Sequence, residues 1–367
     1  MSISDDGMSS TESVGFGSQM GSSFKSILVG LVAFPLSFYF IFKVETCTQA
    51  GDAFKNAKPI SQMQEGKPVY ITGKLQADEL KNQFIKEGKY ISAQISPSVY
   101  AWDEETKTKG SGSSKTTTRE CKLIWTSSPE NPNNFTLPKC KEMKFFQPTV
   151  KESKDFAQNG KLTQDGVTYS VDLSKVDFTS DLAPDYPEEA SIITGKFHLG
   201  TDKYLYSDKK CETEPYEGCE KISLTVVKIP QENMTFLGSV KDKSLEYFEF
   251  EDTKFMSASI GDYVDTMKDI KSDDSTTKWM GRIGSFIVMW LALVALVGPI
   301  TTLLDFIPFI GDLGRFMVML LMGIVAFVLT TVTILLVKFW YVWLILLLGS
   351  VGFGLYKQKN KSIPSKA

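Results

Sequence analysis

The sequence predicts a multi-pass α-helical membrane protein: four spans, with a large β-rich α+β luminal domain between spans 1 and 2. Three observations carry that prediction. First, the charge is unevenly spread: 23% of the 367 residues are charged, yet 27–42, 283–304, 316–337 and 339–356 contain none. Second, all five cysteines and two glycosylation triplets fall between the first two of these stretches. Third, the C-terminal tail carries Lys357, Lys359, Lys361 and Lys366 and no acid. A formal net charge of −3 gives no basic surface for nucleic acid, so none is expected as a partner.

Residues 1–23 are rich in Ser, Gly and Met, with scattered acids and no apolar period. They are expected to be a disordered cytosolic or nucleoplasmic tail. Residues 24–43 are expected to form the first span, kinked at Pro35. A signal anchor is favoured over a cleaved signal peptide, because the flanking 44–53 offers no small-residue cleavage site. About 20 apolar residues cross a hydrocarbon core, which 282–304 and 316–337 satisfy directly. The fourth span, 339–356, is shorter and has aromatic residues at one end. Interfacial anchors are expected at Lys278, Trp279 and Arg282 before span 2, and at Trp340, Tyr341 and Trp343 on span 4. The apolar connector 305–315 is expected to lie in the membrane interface. Residues 357–367 form a basic tail that belongs on the cytosolic side, and an even number of spans places the N-terminus there too.

The domain at 44–281 then lies in the lumen, where disulfides persist. Cys211 and Cys219 bracket a turn with Pro215 and Gly218, so they are the first expected pair, with Cys121–Cys140 second and Cys47 left over. Zinc is the competing reading, but there is no CxxC pair and the single histidine, His198, is far from the cysteines in sequence. Asn134 and Asn233 head luminal triplets for glycosylation, whereas Asn360 sits on the cytosolic tail and should be unused. Strands are expected at 69–75, 90–95, 99–102, 120–126, 167–173, 192–199, 222–229 and 235–240, with 103–118 as a flexible hairpin tip or surface loop and 120–126 as its returning strand. Ile260, Val264, Met267 and Ile270 recur at helical spacing, with Ser259 and Asp262 as a capping box.

Catalytic patterns are missing. One histidine removes most acid–base and metal constellations, so no enzyme and no cofactor are expected. The acids at Asp103, Glu104 and Glu105, at Glu188 and Glu189, at Asp273 and Asp274, and on the helix at Asp262, Asp265 and Asp269 read as solvated faces. Charge-free spans argue against a pump or transporter. Thr330, Thr331 and Thr333 in span 3, and Gly349, Ser350, Gly352 and Gly354 in span 4, read as helix-packing surfaces. A channel-forming or channel-regulating subunit is the alternative to a scaffold.

Several stretches carry a family likeness: ILVGLVAFPLSFYFIFKVE at 27–45, EGKPVYITGKL at 65–75, VYAWDEE at 99–105, Lys278-Trp279, and LLDFIPFIGDL at 303–313. In these the chain resembles the transmembrane protein 43 family, also called LUMA. The likeness is loosest across 107–245. It implies four spans, termini in the cytosol or nucleoplasm, and residence in the endoplasmic reticulum and inner nuclear membrane. It also implies self-association into a homo-oligomer and a role in nuclear-envelope organisation. Emerin-like inner-membrane proteins and lamins are the implied partners, besides the lipid bilayer. The tail ending Pro364-Ser365-Lys366-Ala367 departs from the dilysine ending of the family. No catalytic residue carries over.

Overall fold

A computed structural model describes residues 2–3, 8–13, 16–64, 66–109, 116–304, 311–341 and 350. Trp343, Asn360, the basic tail, nearly all of the expected fourth span and the 305–310 part of the connector lie outside the described residues. The chain divides into two units. One comprises Met1–Ser13, Thr48–Lys109 and Thr116–Ser275, and the other includes Val14–Cys47 and Thr276–Ala367.

The first unit is built from two large sheets and a two-stranded hairpin, Phe248–Phe250 with Thr253–Phe255. In one, Glu220–Lys228 pairs antiparallel with Tyr90–Lys109, whose other neighbours are Thr116–Thr126 and Ser153–Phe156. In the other, Met234–Lys241 is central, flanked by Val69–Gly73 and Ser257–Ile260. Burial alternates along Val69–Gly73 and Glu220–Lys228, as a strand with one face on a core requires. Ile91, Ile95 and Leu224 from one sheet and Ile71, Leu162 and Phe236 from the other join a single apolar cluster. Each such fully buried side chain contributes about 1.5–3 kcal/mol. A second cluster seats the short helix Ala50–Phe54, through Ala53 and Phe54, against Leu237, Phe255, Met267 and Ile270.

Four expectations are corrected. The expected hairpin forms, but its arms reach further than 102 and 120: Tyr90–Lys109 is 20 residues long and pairs with Thr116–Thr126 out to Lys109. Cross-strand polar pairs sustain it, with Glu105 accepting from Lys122, and Thr108 Oγ1 lying 3.4 Å from Thr117 Oγ1. The expected strand at 192–199 reduces to His198–Leu199, because Ile192 finds only an isolated bridge to Ile85. The N-terminal tail is not uniformly disordered: Ser2–Ile3 and Ser9–Ser13 are strands and the helix begins at Phe16. Ser9–Ser13 pairs antiparallel with Thr116–Thr126, where Thr11 and Thr118 hydroxyls lie 3.2 Å apart. Finally, the capping box is only half formed. Asp262 Oδ1 accepts from the amides of Val264 and Asp265, at 2.8 and 3.0 Å. Ser259 belongs instead to a strand. Gly261, at φ +100°, makes the turn between strand and helix in a conformation that favours glycine.

The helix that Asp262 caps, Tyr263–Leu296, is 34 residues long and runs without a break from the polar pre-span residues into the apolar ones. Phe16–Thr46 and Gly311–Lys338 are the other two long helices. Three helices among the described residues are long and apolar enough to cross a membrane. Gly311–Lys338 takes in the last residues of the expected connector. Leu28, Val32, Leu320 and Phe327 are among many large apolar side chains these helices leave exposed, a surface that only lipid or protein would cover.

Candidate functional site at the membrane boundary

The three long helices meet around Ile41, Met289 and Ala326, all buried, with Phe34, Phe38, Phe286, Trp290 and Leu329 packed against them. Without water, such packing depends on close approach and internal hydrogen bonds. Gly30 supplies the approach: a Cβ there would lie 2.9 Å from Leu296 Cγ and 3.0 Å from the Ala292 carbonyl. Trp290 Nε1 donates to the Met319 carbonyl at 3.0 Å, joining two helices. Thr331 and Thr333 donate to the carbonyls of Phe327 and Leu329, four residues back on their own helix. Their hydroxyls are therefore satisfied locally. Thr330 Oγ1 is buried and has no hydrogen-bond partner among the described residues.

At the end of the first helix stands Glu45, whose side chain is only 3% exposed. Arg282 meets it with both arms of its fork, Nε to Oε1 at 2.6 Å and Nη2 to Oε2 at 2.9 Å. Lys278, one helical turn earlier, donates to the Glu45 carbonyl at 3.5 Å and holds Nζ 3.9 Å from Oε2. Residues four apart lie on one helix face, so both cations turn toward one carboxylate. A bidentate guanidinium–carboxylate pair is the strongest and most directional form of ion pair. Lys278 and Arg282, expected as interfacial anchors, thus clamp the end of the first helix to the middle of Tyr263–Leu296. Trp279 is 59% exposed, with the Arg282 guanidinium 5.3 Å from its ring. Trp340 and Tyr341 are exposed as well. Sequence reasoning passed over Glu45, because a single acid beside a span reads as an ordinary flanking charge.

In the first unit, Cys121–Cys140 and Cys211–Cys219 are disulfides, with Cα separations of 6.2 and 5.7 Å. Cys47 is exposed and belongs to neither. Glu104 is the third member of the one His/Cys/Asp/Glu group near enough for a metal among the described residues, together with Cys121 and Cys140. The disulfide has consumed both thiolates, and Glu104 is occupied: its two oxygens accept from the amides of Thr136 and Leu137, at 2.6 and 2.7 Å. Metal binding there has no ligand set. His198 is exposed on its short strand.

Asn134 ends a short 3-10 turn and is exposed. Asn233 is exposed too, but Thr235, its triplet partner, is buried, with Oγ1 2.8 Å from both Thr72 Oγ1 and the Gly261 carbonyl. Some acids expected to face solvent have partners instead. Asp273 accepts from the amide and hydroxyl of Ser180, and Ser259 Oγ reaches both Asp181 and Asp269, at 3.1 and 2.9 Å. These carboxylates tie the 179–181 turn and the last strand to the start of the long helix.

Tyr206 and the Cys211–Cys219 disulfide share a cluster with Tyr100, Trp125 and Tyr204. Lys221 places its ammonium 4.6 Å from the Trp125 ring and 4.9 Å from the Tyr204 ring. Burial pushes the Lys221 ammonium below the usual lysine range. Burial, then the hydrogen bond to Asp202, pushes the Tyr206 hydroxyl above the usual tyrosine range.

The sequence model of the family described as transmembrane protein 43 matches residues 99–343. No curated protein and no solved structure matches the chain.

Proposed function

The chain belongs to the transmembrane protein 43 family, and on that premise we propose that it is a non-enzymatic scaffold of the endoplasmic reticulum and inner nuclear membrane. It crosses the bilayer four times, with both termini in the cytosol or nucleoplasm and the β-rich unit in the lumen. Through self-association and binding of emerin-like membrane proteins and lamins it contributes to nuclear-envelope organisation. The observation that carries this reading is the pairing of charge-free stretches, long enough to cross a bilayer, with a unit closed by two disulfides. Disulfides suit the lumen and not the cytosol, and helices without charge offer no proton relay or ion path. Thr331 and Thr333, bonded within their own helix, weigh against the alternative of a channel subunit.

The orientation has a structural consequence. A crossing helix of 31 residues is about 46 Å long, so its ends lie on opposite faces of a bilayer. Crossing therefore separates Ser9–Ser13 from Thr116–Thr126, and their strand pairing and the crossing are alternative states of one segment.

Localisation tests the scaffold reading. Tagged protein is expected in the nuclear envelope and endoplasmic reticulum, with any glycan sensitive to the enzymes that trim ER-type sugars. Protein at the cell surface with resistant glycans would refute it.

A further inference from the structure

The outer edge of Thr116–Thr126 receives a strand, and in the structure Ser9–Ser13 fills it. The two pair antiparallel from Ser9 opposite Glu120 to Ser13 opposite Thr116, and the Cys121 amide donates to the Met8 carbonyl at 3.0 Å. Both segments belong to the same compact unit. Main-chain pairing of this kind accepts any extended segment, so specificity falls to the alternate side chains.

Met8, Ser10 and Glu12 alternate along this strand, and each meets a different surface. Met8 packs against the cluster of Cys121, Phe135, Leu137 and Cys140, as Trp102 does. The Cys121–Cys140 disulfide, with the Thr136 and Leu137 amides donating to Glu104, holds that wall in place. Ser10, opposite Arg119, is buried, and its hydroxyl has no hydrogen-bond partner among the described residues. The position therefore suits a small side chain and gains nothing from a hydroxyl. Glu12 brings Oε2 to 3.8 Å from Arg119 Nη1, and the Thr11 and Thr118 hydroxyls lie 3.2 Å apart. The edge thus reads an apolar residue, a small residue two places on, then threonine and an acid.

The proposed crossing of the first helix carries Ser9–Ser13 to the far side of the bilayer and leaves this edge open. An open strand edge is a template for pairing. We infer that it binds an extended luminal segment of a partner protein by strand addition, one with the order apolar, any residue, small, threonine, acid. Ser9–Ser13, with its unsatisfied Ser10 hydroxyl, is an imperfect stand-in for that segment. The choice of a partner over the chain's own strand rests on the proposed crossing.

The test uses the full chain reconstituted into lipid vesicles with the β-rich unit outward, titrated with a fluorescent peptide of the Met8–Ser13 sequence. Saturable binding is expected. The Met8→Asp peptide should bind about tenfold more weakly and the Glu12→Lys peptide about threefold more weakly, as an apolar pocket and a loose ion pair imply. The Ser10→Ala peptide should bind at least as tightly as the parent peptide. The R119E chain should prefer the Glu12→Lys peptide, a reversal that misfolding would not produce. Equal binding by the Met8→Asp and Glu12→Lys peptides would overturn the site. So would the absence of saturable binding, where a T11C/T118C variant in the same vesicles forms no cross-link. Where that cross-link does form, the chain's own strand holds the edge, and the crossing is overturned and the partner with it.

Discussion

Glu45 is the residue on which the helix bundle's polar chemistry turns. With its side chain almost fully buried, losing Arg282 would leave a desolvated carboxylate facing only a distant ammonium. Breaking such a pair from one side costs about 3–5 kcal/mol, whereas a contact at 3.9 Å is in the range of a loose pair worth under about 1 kcal/mol. R282Q should therefore lower the thermal midpoint of the detergent-purified chain well below that of K278Q, and equal midpoints would remove the clamp. Tyr206 gives a second prediction at this scale. Its folded proton affinity is raised, so its share of stability is complete below the unfolded tyrosine value of about 10. That share is lost as pH rises through the higher folded value. The Y206F variant should lose stability less steeply than the parent above pH ~10, read by denaturant unfolding; parallel pH profiles would count against it.

Among the elements, legibility followed one-sided burial. Glu220–Lys228 alternates buried and half-buried residues, and its apolar residues at every second position were readable before any coordinates. The outer half of Tyr90–Lys109 was not, because Glu, Thr and Lys on both of its faces leave no alternation to read. Its register is written in Thr116–Thr126 instead, through pairs that no single segment reveals. Cysteine spacing foretold both disulfides, since short loops close easily. The roles of Glu104, Asp269 and Asp273 were hidden, because hydrogen bonds between residues distant in the chain leave no local pattern. The segment Ser9–Ser13 remains the sharpest test at this scale. In a T11C/T118C variant, where the native hydroxyls lie 3.2 Å apart, membrane-inserted protein should form no cross-link under oxidising conditions. An efficient cross-link would mean that the first helix does not cross the bilayer.

At the scale of the whole molecule, the sequence separates into apolar helices and a polar β-rich unit, and the described structure keeps that division. Family membership covers both parts, since the match runs from the strand beginning at Tyr90 to the end of the third long helix. The proposed placement of the β-rich unit in the lumen is the central claim, because the scaffold role and the glycans take their side of the membrane from it. Glycosylation mapping in microsomes tests it most directly, with single N134Q, N233Q and N360Q variants reporting which triplet is used. Asn134, on an exposed turn, should carry a glycan, and Asn360 should carry none. A glycan on Asn360 would invert the topology and contradict the account.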